Sequence, residues 1–321
     1  MELRPLGTTG LRVTPVALGC WPIAGMTSPG VNDRDSLATI EACFDLGINH
    51  LDTAYCYGRE GESERLIARA VGRRRHEMVI ATKGGIDWDA QRTQIRDARP
   101  ETLRRQCEES LRRLRTDCVD LLYLHAPDGM TPVGESAAAL RRLMEEGKTR
   151  AVGASNVTVA ELAEFAAVCP IAAVQPPYNM LQRDIERDLV PWCLAHQVSI
   201  LVYWPLMKGL LGGRLRRDET FAGDSRHKYP MFQGAEYQKN LDLVERLREI
   251  AAMTGRTVAE LAIHWTIAQP GIASALCGAK RPDQLRDSAG GAGWAMTDEQ
   301  RRLVEQALAA RGPADVRPPV S

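Results

Sequence analysis

The chain has 321 residues, of which 44% are hydrophobic, so it is long enough for one large core. Lysine plus arginine equals aspartate plus glutamate at 41 each, and this balance excludes a broad electrostatic attraction to nucleic acid or to an anionic membrane. No apolar run approaches the roughly 20 residues of a membrane-spanning helix, and the charged start MELRPLGTTG is not typical of a signal peptide. Eight scattered cysteines without zinc spacing favour free thiols in the cytoplasm and no bound metal.

Short apolar strands alternate with amphipathic helices along the whole chain. An opening hairpin is expected before the first barrel-type strand, and eight such strands are predicted at 16–19, 48–54, 77–83, 119–126, 150–156, 172–176, 198–204 and 272–279. The intervening helices are predicted at 34–46, 63–72, from 100 onward, 131–147, after 158, 185–196, 239–253 and 282–290. Threonines that start T-x-x-E/Q capping boxes are expected at Thr158, Thr257 and Thr297.

This alternation predicts one (β/α)₈ TIM barrel spanning residues 1–321, with an N-terminal β-hairpin and an extra C-terminal helix. A doubly wound sheet is the alternative, but GCWPIAGM after the first strand lacks the glycine fingerprint of that fold. Thr131 and Pro132 are expected to cap and open one helix, and Pro191 to kink another or start it early. The irregular segment 209–233 is predicted to be a functional or mobile loop.

In such a barrel the carboxyl ends of the strands meet at one mouth, so polar residues at those ends indicate the site. The second strand contains the start of the segment NHLDTAYCYG, and this segment could be either a solvated loop or a site for acid catalysis. Asp52 could cap a turn, Lys83 could be solvated and His125 could be structural, but all converge at neighbouring strand ends. With Tyr57 they form a coherent set, since an ammonium favours the phenolate and should lower the phenol pKa. Tyr55 is interpreted as a half-buried aromatic.

Segments in chain order resemble the aldo-keto reductases, and some look most like the bacterial general-stress-protein branch of that family. The resemblance is carried by NHLDTAYCYGREGESE, VIATKGG, DLLYLHAPD, VGASN, VQPPYNMLQRDIE, LVYWPLMKGLLGGR and CGAKRPDQL. It implies that Tyr57 is the general acid, that Asp52 and Lys83 tune it, and that His125 orients the carbonyl. It also implies a nicotinamide cofactor bound without a Rossmann domain.

The cofactor contacts implied by the resemblance come from five parts of the chain. Ser155, Asn156 and Gln175 would bind the carboxamide, and Tyr203 would stack on the nicotinamide ring. The glycine-rich turn and the start of the last barrel helix would bind the phosphates and the adenosine. The full set of expected cofactor contacts is Trp21, Ser155, Asn156, Gln175, Tyr203, Pro205, Leu206, Lys208, Gly209, Gly278, Lys280, Arg281, Gln284 and Ser288. Lys280 and Arg281 favour NADP(H), through the 2′-phosphate.

The function expected from this set is reversible reduction of aldehydes and ketones to alcohols with NADPH. Trp21, Trp88 and Trp204 predict an apolar substrate rim, although Trp204 replaces the small residue usual in relatives and Ser288 replaces a common asparagine. An NADP-dependent aldose dehydrogenase and a cofactor-binding sensor or regulatory subunit with little turnover remain alternatives. A metal-dependent barrel hydrolase is a third class, but no ligand cluster supports it. A small-molecule partner is expected, and the sequence leaves the oligomeric state open.

Overall fold

Eight parallel strands close into a barrel in the computed structural model, which describes residues 1–25, 30–222 and 224–316. In chain order the strands are β1 (Arg4–Pro5), β2 (Arg12–Val13), β3 (Val16–Gly19), β4 (His50–Asp52), β5 (Val79–Gly84), β6 (Ile86–Trp88), β7 (Gln94–Arg96), β8 (Leu121–Leu124), β9 (Val152–Ser155), β10 (Ala173–Gln175), β11 (Ser199–Tyr203) and β12 (Ile272–Gly278). The barrel runs β3-β4-β5-β8-β9-β10-β11-β12 and closes from β12 to β3. The predicted TIM barrel and its N-terminal hairpin, β1–β2, are confirmed.

Ten α-helices surround the barrel within the described part of the chain. They are α1 (Asp33–Leu46), α2 (Glu62–Val71), α3 (Pro100–Leu114), α4 (Val133–Glu145), α5 (Val159–Val168), α6 (Leu189–Ala195), α7 (Gly234–Met253), α8 (Val258–Ile267), α9 (Pro282–Ala289) and α10 (Asp298–Arg311). The last of these is the predicted C-terminal helix. Two helices, α7 and α8, follow β11, where a single helix would complete the simplest repeat. Within the described residues, no helix has the length and apolar character needed to cross a membrane.

The first residues of the helices show which of the predicted caps form in the structure. Capping boxes form at Thr158, Thr257 and Thr297, each with the side chain accepting from the third helical amide. The cap expected at Thr131 is wrong: Pro132 occupies that position, and the Thr131 hydroxyl donates to Asp128 Oδ2 at 2.8 Å instead. Pro191 lies in the first turn of α6, where its missing N–H breaks no helical hydrogen bond.

The hairpin β1–β2 covers the end of the barrel opposite the carboxyl ends of the strands. Leu6 is fully buried there in a cluster with Tyr123 and Leu201 inside the barrel. The Gly7 amide donates to Ser199 Oγ at 2.8 Å, at the start of β11. Burying a side chain of the size of Leu6 contributes about 1.5–3 kcal/mol. One end of the barrel is therefore sealed, and the other remains for a site.

Two features of the connections were not predicted from the sequence in this form. A second hairpin, β6–β7, follows β5 directly and stands beside the mouth of the barrel. The segment 209–233 contains short 3₁₀ turns, among them Ser225–Lys228 and Pro230–Phe232, and residue 223 lies outside the described residues.

Candidate active site

A buried lysine connects three functional groups at the mouth of the barrel. Lys83 lies near the end of β5 with 1% of its surface exposed, and Asp52 ends β4 with 2% exposed. Lys83 Nζ donates to Asp52 Oδ1 at 2.6 Å, to the Thr53 carbonyl oxygen at 2.7 Å and to the Tyr57 hydroxyl at 3.2 Å. A lysine ammonium has three N–H donors, so this side chain is fully satisfied. The cation is thereby held in one position against the phenol oxygen.

The structure separates the two tyrosines of the loop after β4. Tyr57 contacts Lys83, whereas the Tyr55 hydroxyl donates to Glu109 Oε2 at 2.7 Å on α3. The ring of Tyr55 also lies 4.3 Å from the Arg113 guanidinium carbon. Tyr55 is thus a structural residue that joins the loop to α3, as interpreted from the sequence. Tyr57 alone of the pair has its phenol oxygen on the lysine.

His125 follows β8 and faces the same cluster. Its ring lies edge-on to the Tyr57 ring with centroids 5.9 Å apart, and its Nδ1 is 3.6 Å from the Cys56 sulfur. Burial raises the pKa of the Cys56 thiol to about 12, so the sulfur carries a proton that it can donate to Nδ1. Burial, with the charges of Lys83 and Arg96, holds the pKa of His125 well below 6.5. The imidazole is therefore neutral, and a thiol that donates to Nδ1 favours the tautomer with its hydrogen on Nε2.

The expected lowering of the Tyr57 pKa is not the net result in the structure. Burial of the phenol is the largest influence and the Asp52 carboxylate the second, and both raise the pKa of Tyr57 well above 10. Both disfavour a phenolate, and the Lys83 charge is already met by Asp52 at 2.6 Å. At neutral pH the phenol consequently keeps its proton. That is the form a proton donor needs, and the lysine hydrogen bond remains available to stabilise the phenolate after transfer.

Two of the three tryptophans expected at the rim lie near Tyr57. The Trp21 ring packs edge-on to it with centroids 4.9 Å apart, and Trp88 packs against the same buried apolar cluster as Tyr57. The Trp88 indole nitrogen donates to the Cys56 carbonyl oxygen at 3.2 Å. Trp204 instead packs edge-on against Tyr203 and Tyr229, with Lys208 Nζ 4.9 Å from its ring. Trp21 and Trp88 therefore lie near Tyr57, whereas Trp204 belongs to a separate aromatic group; the role of all three as a substrate rim stays a prediction.

The residues expected around the carboxamide form one hydrogen-bonded chain. The Tyr203 hydroxyl donates to Asn156 Oδ1 at 2.7 Å, and Asn156 Nδ2 donates to Ser155 Oγ at 3.1 Å. Ser155 Oγ in turn donates to the Gln175 carbonyl oxygen at 2.8 Å. Gln175 Nε2 donates to Asp52 Oδ2 at 2.8 Å, a contact that the sequence did not predict. The chain links the expected nicotinamide end directly to the Asp52–Lys83 pair.

The loop after β11 has unusual backbone geometry where phosphate binding was expected. Trp204, Met207 and Lys208 have φ of +59°, +44° and +54°, conformations that cost energy for residues other than glycine. Gly209 has φ of +93°, and no atom lies within 4 Å of the position where a Cβ would stand. Pro205 and Leu206 form the turn that leads into this loop. The open surface and the strained turn fit a backbone that approaches a phosphate group closely.

The expected adenosine-phosphate residues lie at the start of α9. The Lys280 amide donates to Gln284 Oε1 at 2.8 Å, and Gly278 lies against Pro22. Lys280 is half-buried, and burial lowers the pKa of its ammonium, with Arg226 the second cause. The Arg281 guanidinium is exposed and pairs with Asp283 at 3.2 Å.

Ser288 is the exception among the expected adenosine contacts. It is 3% exposed and lies against the Cys277 thiol on the inner side of α9. Its burial speaks against the adenine contact expected of it. Lys280, Arg281 and Gln284 have no such obstacle, since each lies at the accessible start of the helix.

Comparison with known proteins agrees with this geometry. The family model described as "Aldo/keto reductase family" matches residues 15–309. The chain is 34% identical to aldo-keto reductase YhdN of Bacillus subtilis (strain 168), over 96% of this chain and 94% of that protein. It is 32% identical to the NADH-specific methylglyoxal reductase of Escherichia coli (strain K12), over 95% and 98% of the two chains. The solved glycerol dehydrogenase from Gluconobacter oxydans superposes with a TM-score of 0.90 and 36% identity, covering 99% of this chain and 98% of that one.

The chain belongs to the aldo/keto reductase family. The resemblance read from the sequence is thereby confirmed, and with it an oxidoreductase that uses a nicotinamide cofactor and small carbonyl compounds. Among the described residues of this aldo/keto reductase, no group of three or more histidine, cysteine or acidic side chains is arranged to hold a metal ion.

Sequence reasoning missed some contacts of this aldo/keto reductase. The Cys56 thiol on His125 and the Thr53 carbonyl on Lys83 were not predicted. The hairpin β6–β7 was missed as well, although Ile86 and Trp88 alternate with polar residues before a turn-forming stretch. That alternation was the available pattern. Contacts of a backbone carbonyl leave no comparable trace in a sequence.

Proposed function

We propose that this aldo/keto reductase reduces aldehydes and ketones to alcohols with NADPH, and that Tyr57 supplies the proton. When bound, the cofactor supplies a hydride from nicotinamide C4 to the carbonyl carbon. The carbonyl oxygen gains negative charge as the hydride arrives, so a proton donor and a hydrogen-bond donor beside it lower the barrier. The observation that carries the proposal is the 3.2 Å contact between Lys83 Nζ and the Tyr57 hydroxyl inside a buried ion pair.

The four residues at the mouth of the barrel have different roles in the proposed reaction, because they differ in charge and protonation. Tyr57 is neutral and donates its proton to the developing alkoxide. Lys83 donates a hydrogen bond to the phenol oxygen and stabilises the phenolate that remains. Asp52 neutralises and orients the lysine, and the neutral imidazole of His125 donates Nε2–H to the carbonyl oxygen. Trp21 and Trp88 beside Tyr57 favour substrates with an apolar part.

Replacement of Tyr57 tests this assignment against a matched control in the same loop. Tyr57→Phe should lower kcat with a neutral aldehyde by about 10²–10⁴-fold, the usual contribution of a general acid. Tyr55→Phe removes an identical hydroxyl that contacts Glu109 and should leave kcat within a few-fold of the wild type. Dissociation constants for NADPH should be similar in all three proteins. Equal activity of Tyr57→Phe and the wild type would refute the assignment.

Two features support the proposed cofactor contacts: the hydrogen-bonded chain of side chains that ends at Tyr203, and the basic pair Lys280 and Arg281. Ser155, Asn156 and Gln175 would hold the carboxamide, Tyr203 would stack on the ring, and residues 205–209 would approach the pyrophosphate. Lys280 and Arg281 supply positive charge for a 2′-phosphate, which supports NADPH over NADH. The Escherichia coli relative, however, is named an NADH-specific reductase, so the preference of this chain for NADPH or NADH has to be measured directly.

A charge-removing variant measures that preference. Lys280→Met should raise KM for NADPH about tenfold, the loss expected of one charge-assisted hydrogen bond, and leave KM for NADH unchanged. Arg217→Met is a suitable control, because this exposed arginine pairs with Asp242 on α7. An equal rise in KM for NADPH and NADH would show that Lys280 does not bind the 2′-phosphate.

The reverse reaction is a second candidate for the physiological direction. A solved relative with 36% identity is a glycerol dehydrogenase, and the same four residues would then remove a proton from an alcohol. Initial rates with NADP⁺ and a panel of polyols, compared with NADPH and the matching aldehydes, decide between the directions. Binding of NADPH without turnover in either direction would favour the sensor alternative. We also propose that the chain acts as a single domain in the cytoplasm.

A further inference from the structure

One arginine at the mouth has no role in the proposed chemistry. Arg96 ends β7, and strand β7 pairs with β6 so that Arg96 lies opposite Ile86 and Gln94 lies opposite Trp88. Residues directly opposite in an antiparallel pair project from the same face. Ile86 and Cys56 belong to one buried apolar cluster, and Trp88 and Tyr57 both pack against it. Arg96 therefore projects from the hairpin face that borders the catalytic phenol.

The opposite face of the hairpin is accounted for by other contacts. Asp87 projects from it and accepts a hydrogen bond from Arg105 Nη2 on α3 at 2.6 Å. The face that carries Asp87 therefore attaches the hairpin to α3, and the face that carries Arg96 borders the mouth.

Backbone contacts place Arg96 close to His125. The amide of Asp97, the next residue, donates to the Gly85 carbonyl oxygen at 3.0 Å. The neighbouring Gly84 carbonyl oxygen accepts the His125 amide at 2.8 Å. In agreement, the Arg96 charge is among the causes that lower the pKa of His125, after burial and Lys83.

Arg96 is an exposed residue, and no hydrogen bond or ion pair engages its side chain within residues 1–25, 30–222 and 224–316. The acidic side chains on either side are already engaged. Asp97 Oδ2 pairs with Arg99 Nη2 at 2.7 Å, and Asp128 accepts from Thr131 and from the Ala98 amide. A cation beside an apolar wall, with its neighbouring carboxylates occupied, is available to an anion that enters the mouth.

We propose that Arg96 is a specificity-determining residue that binds an anionic group on the substrate. The preferred substrates are then aldehydes that carry a carboxylate or a phosphate together with an apolar part. Arginine suits this task because its planar fork can donate two parallel hydrogen bonds to either group. The inference rests on the proposed carbonyl reduction and narrows its substrate class.

A pair of substrates with the same reacting group isolates the anionic contact. 4-Carboxybenzaldehyde carries a carboxylate, and its methyl ester is neutral but withdraws electrons from the aldehyde more strongly. Because the two aldehydes differ in intrinsic reactivity, the acid-to-ester ratio of kcat/KM is compared between the full-length wild type and Arg96→Gln, and it should be at least about tenfold higher in the wild type, the range of a charge-assisted hydrogen bond. Glyceraldehyde 3-phosphate against glyceraldehyde shows whether a phosphate is preferred in the same way.

Arg96→Gln should abolish the preference by lowering kcat/KM for the anionic substrate and sparing the neutral one. Arg96→Lys should keep part of it, since the charge remains and the fork is lost. Arg92→Asn is the matched control: it removes an arginine from the turn of the same hairpin, and asparagine tolerates the φ of +65° there. An acid-to-ester ratio of kcat/KM that is the same in Arg96→Gln and in the wild type would overturn the inference.

Binding of the product acid separates this inference from the reductase proposal. 4-(Hydroxymethyl)benzoate is titrated against the protein with NADPH or NADP⁺ present, with tryptophan fluorescence as the signal from Trp21 and Trp88. Arg96→Gln should raise its dissociation constant about tenfold and leave that of the methyl ester unchanged. If neither aldehyde turns over but the acid still binds through Arg96, the reductase proposal fails and the anion site stands. Equal binding to wild type and Arg96→Gln removes the anion site, whatever the turnover.

Discussion

Removal of the Asp52 charge should destabilise the protein strongly, because it leaves a buried ammonium without its counter-ion. Lys83 has 1% of its surface exposed, and its ion pair with Asp52 is closed at 2.6 Å. In Asp52→Asn the ammonium keeps the Thr53 carbonyl oxygen at 2.7 Å and the Tyr57 hydroxyl at 3.2 Å, neither of which carries a charge. Breaking a buried pair on one side costs about 3–5 kcal/mol.

The free energy of unfolding in urea measures this loss, with kcat recorded in parallel. The double variant Asp52→Asn/Lys83→Met carries no buried charge at this position and should be more stable than Asp52→Asn alone, since the desolvation penalty has gone. Glu145→Gln is the control, because it breaks the exposed Arg141–Glu145 pair and should cost less than about 1 kcal/mol. A loss in Asp52→Asn no larger than that of the control would refute the account of a buried, mutually dependent pair.

Three further predictions follow from the site and the helix caps. The pKa of His125 is below 6.5 and that of Tyr57 is above 10, so between these values the imidazole stays neutral and the phenol stays protonated. The kcat for carbonyl reduction should therefore be independent of pH from 6.5 to 10 and fall only above pH 10. A change in kcat with a midpoint near pH 7 would contradict this. Cys56→Ala removes the thiol that contacts Nδ1 of His125 and should lower kcat about two- to tenfold, with Cys193→Ala as the buried control. Thr158→Ala removes the cap of α5 and should cost about 1 kcal/mol in urea denaturation without changing kcat.

The barrel could be predicted from the sequence because each element carries a local pattern. Helices such as α3 begin at a proline and repeat apolar residues at helical spacing, and three threonine caps were recognised from four residues each. Where the local pattern was ambiguous the prediction was wrong: Thr131 has a capping side chain, but Asp128 takes its hydrogen bond. The hairpin β6–β7 was missed because each of its strands has three residues.

The sequence by itself determined the barrel and the strand ends and made Tyr57 the candidate proton donor, since these depend on residue type and on order along the chain. Only the tertiary structure decided the charge states, because burial and the Asp52–Lys83 pair act through space and raise the Tyr57 pKa that the lysine alone would lower. It also decided which side chains share the mouth. Trp21 packs edge-on against Tyr57, Trp88 packs against the same apolar cluster as Tyr57, and Trp204 packs against Tyr203 and Tyr229 instead. The pairing of Arg96 with Ile86, ten positions earlier in the chain, places Arg96 on the hairpin face that carries Ile86 and Trp88.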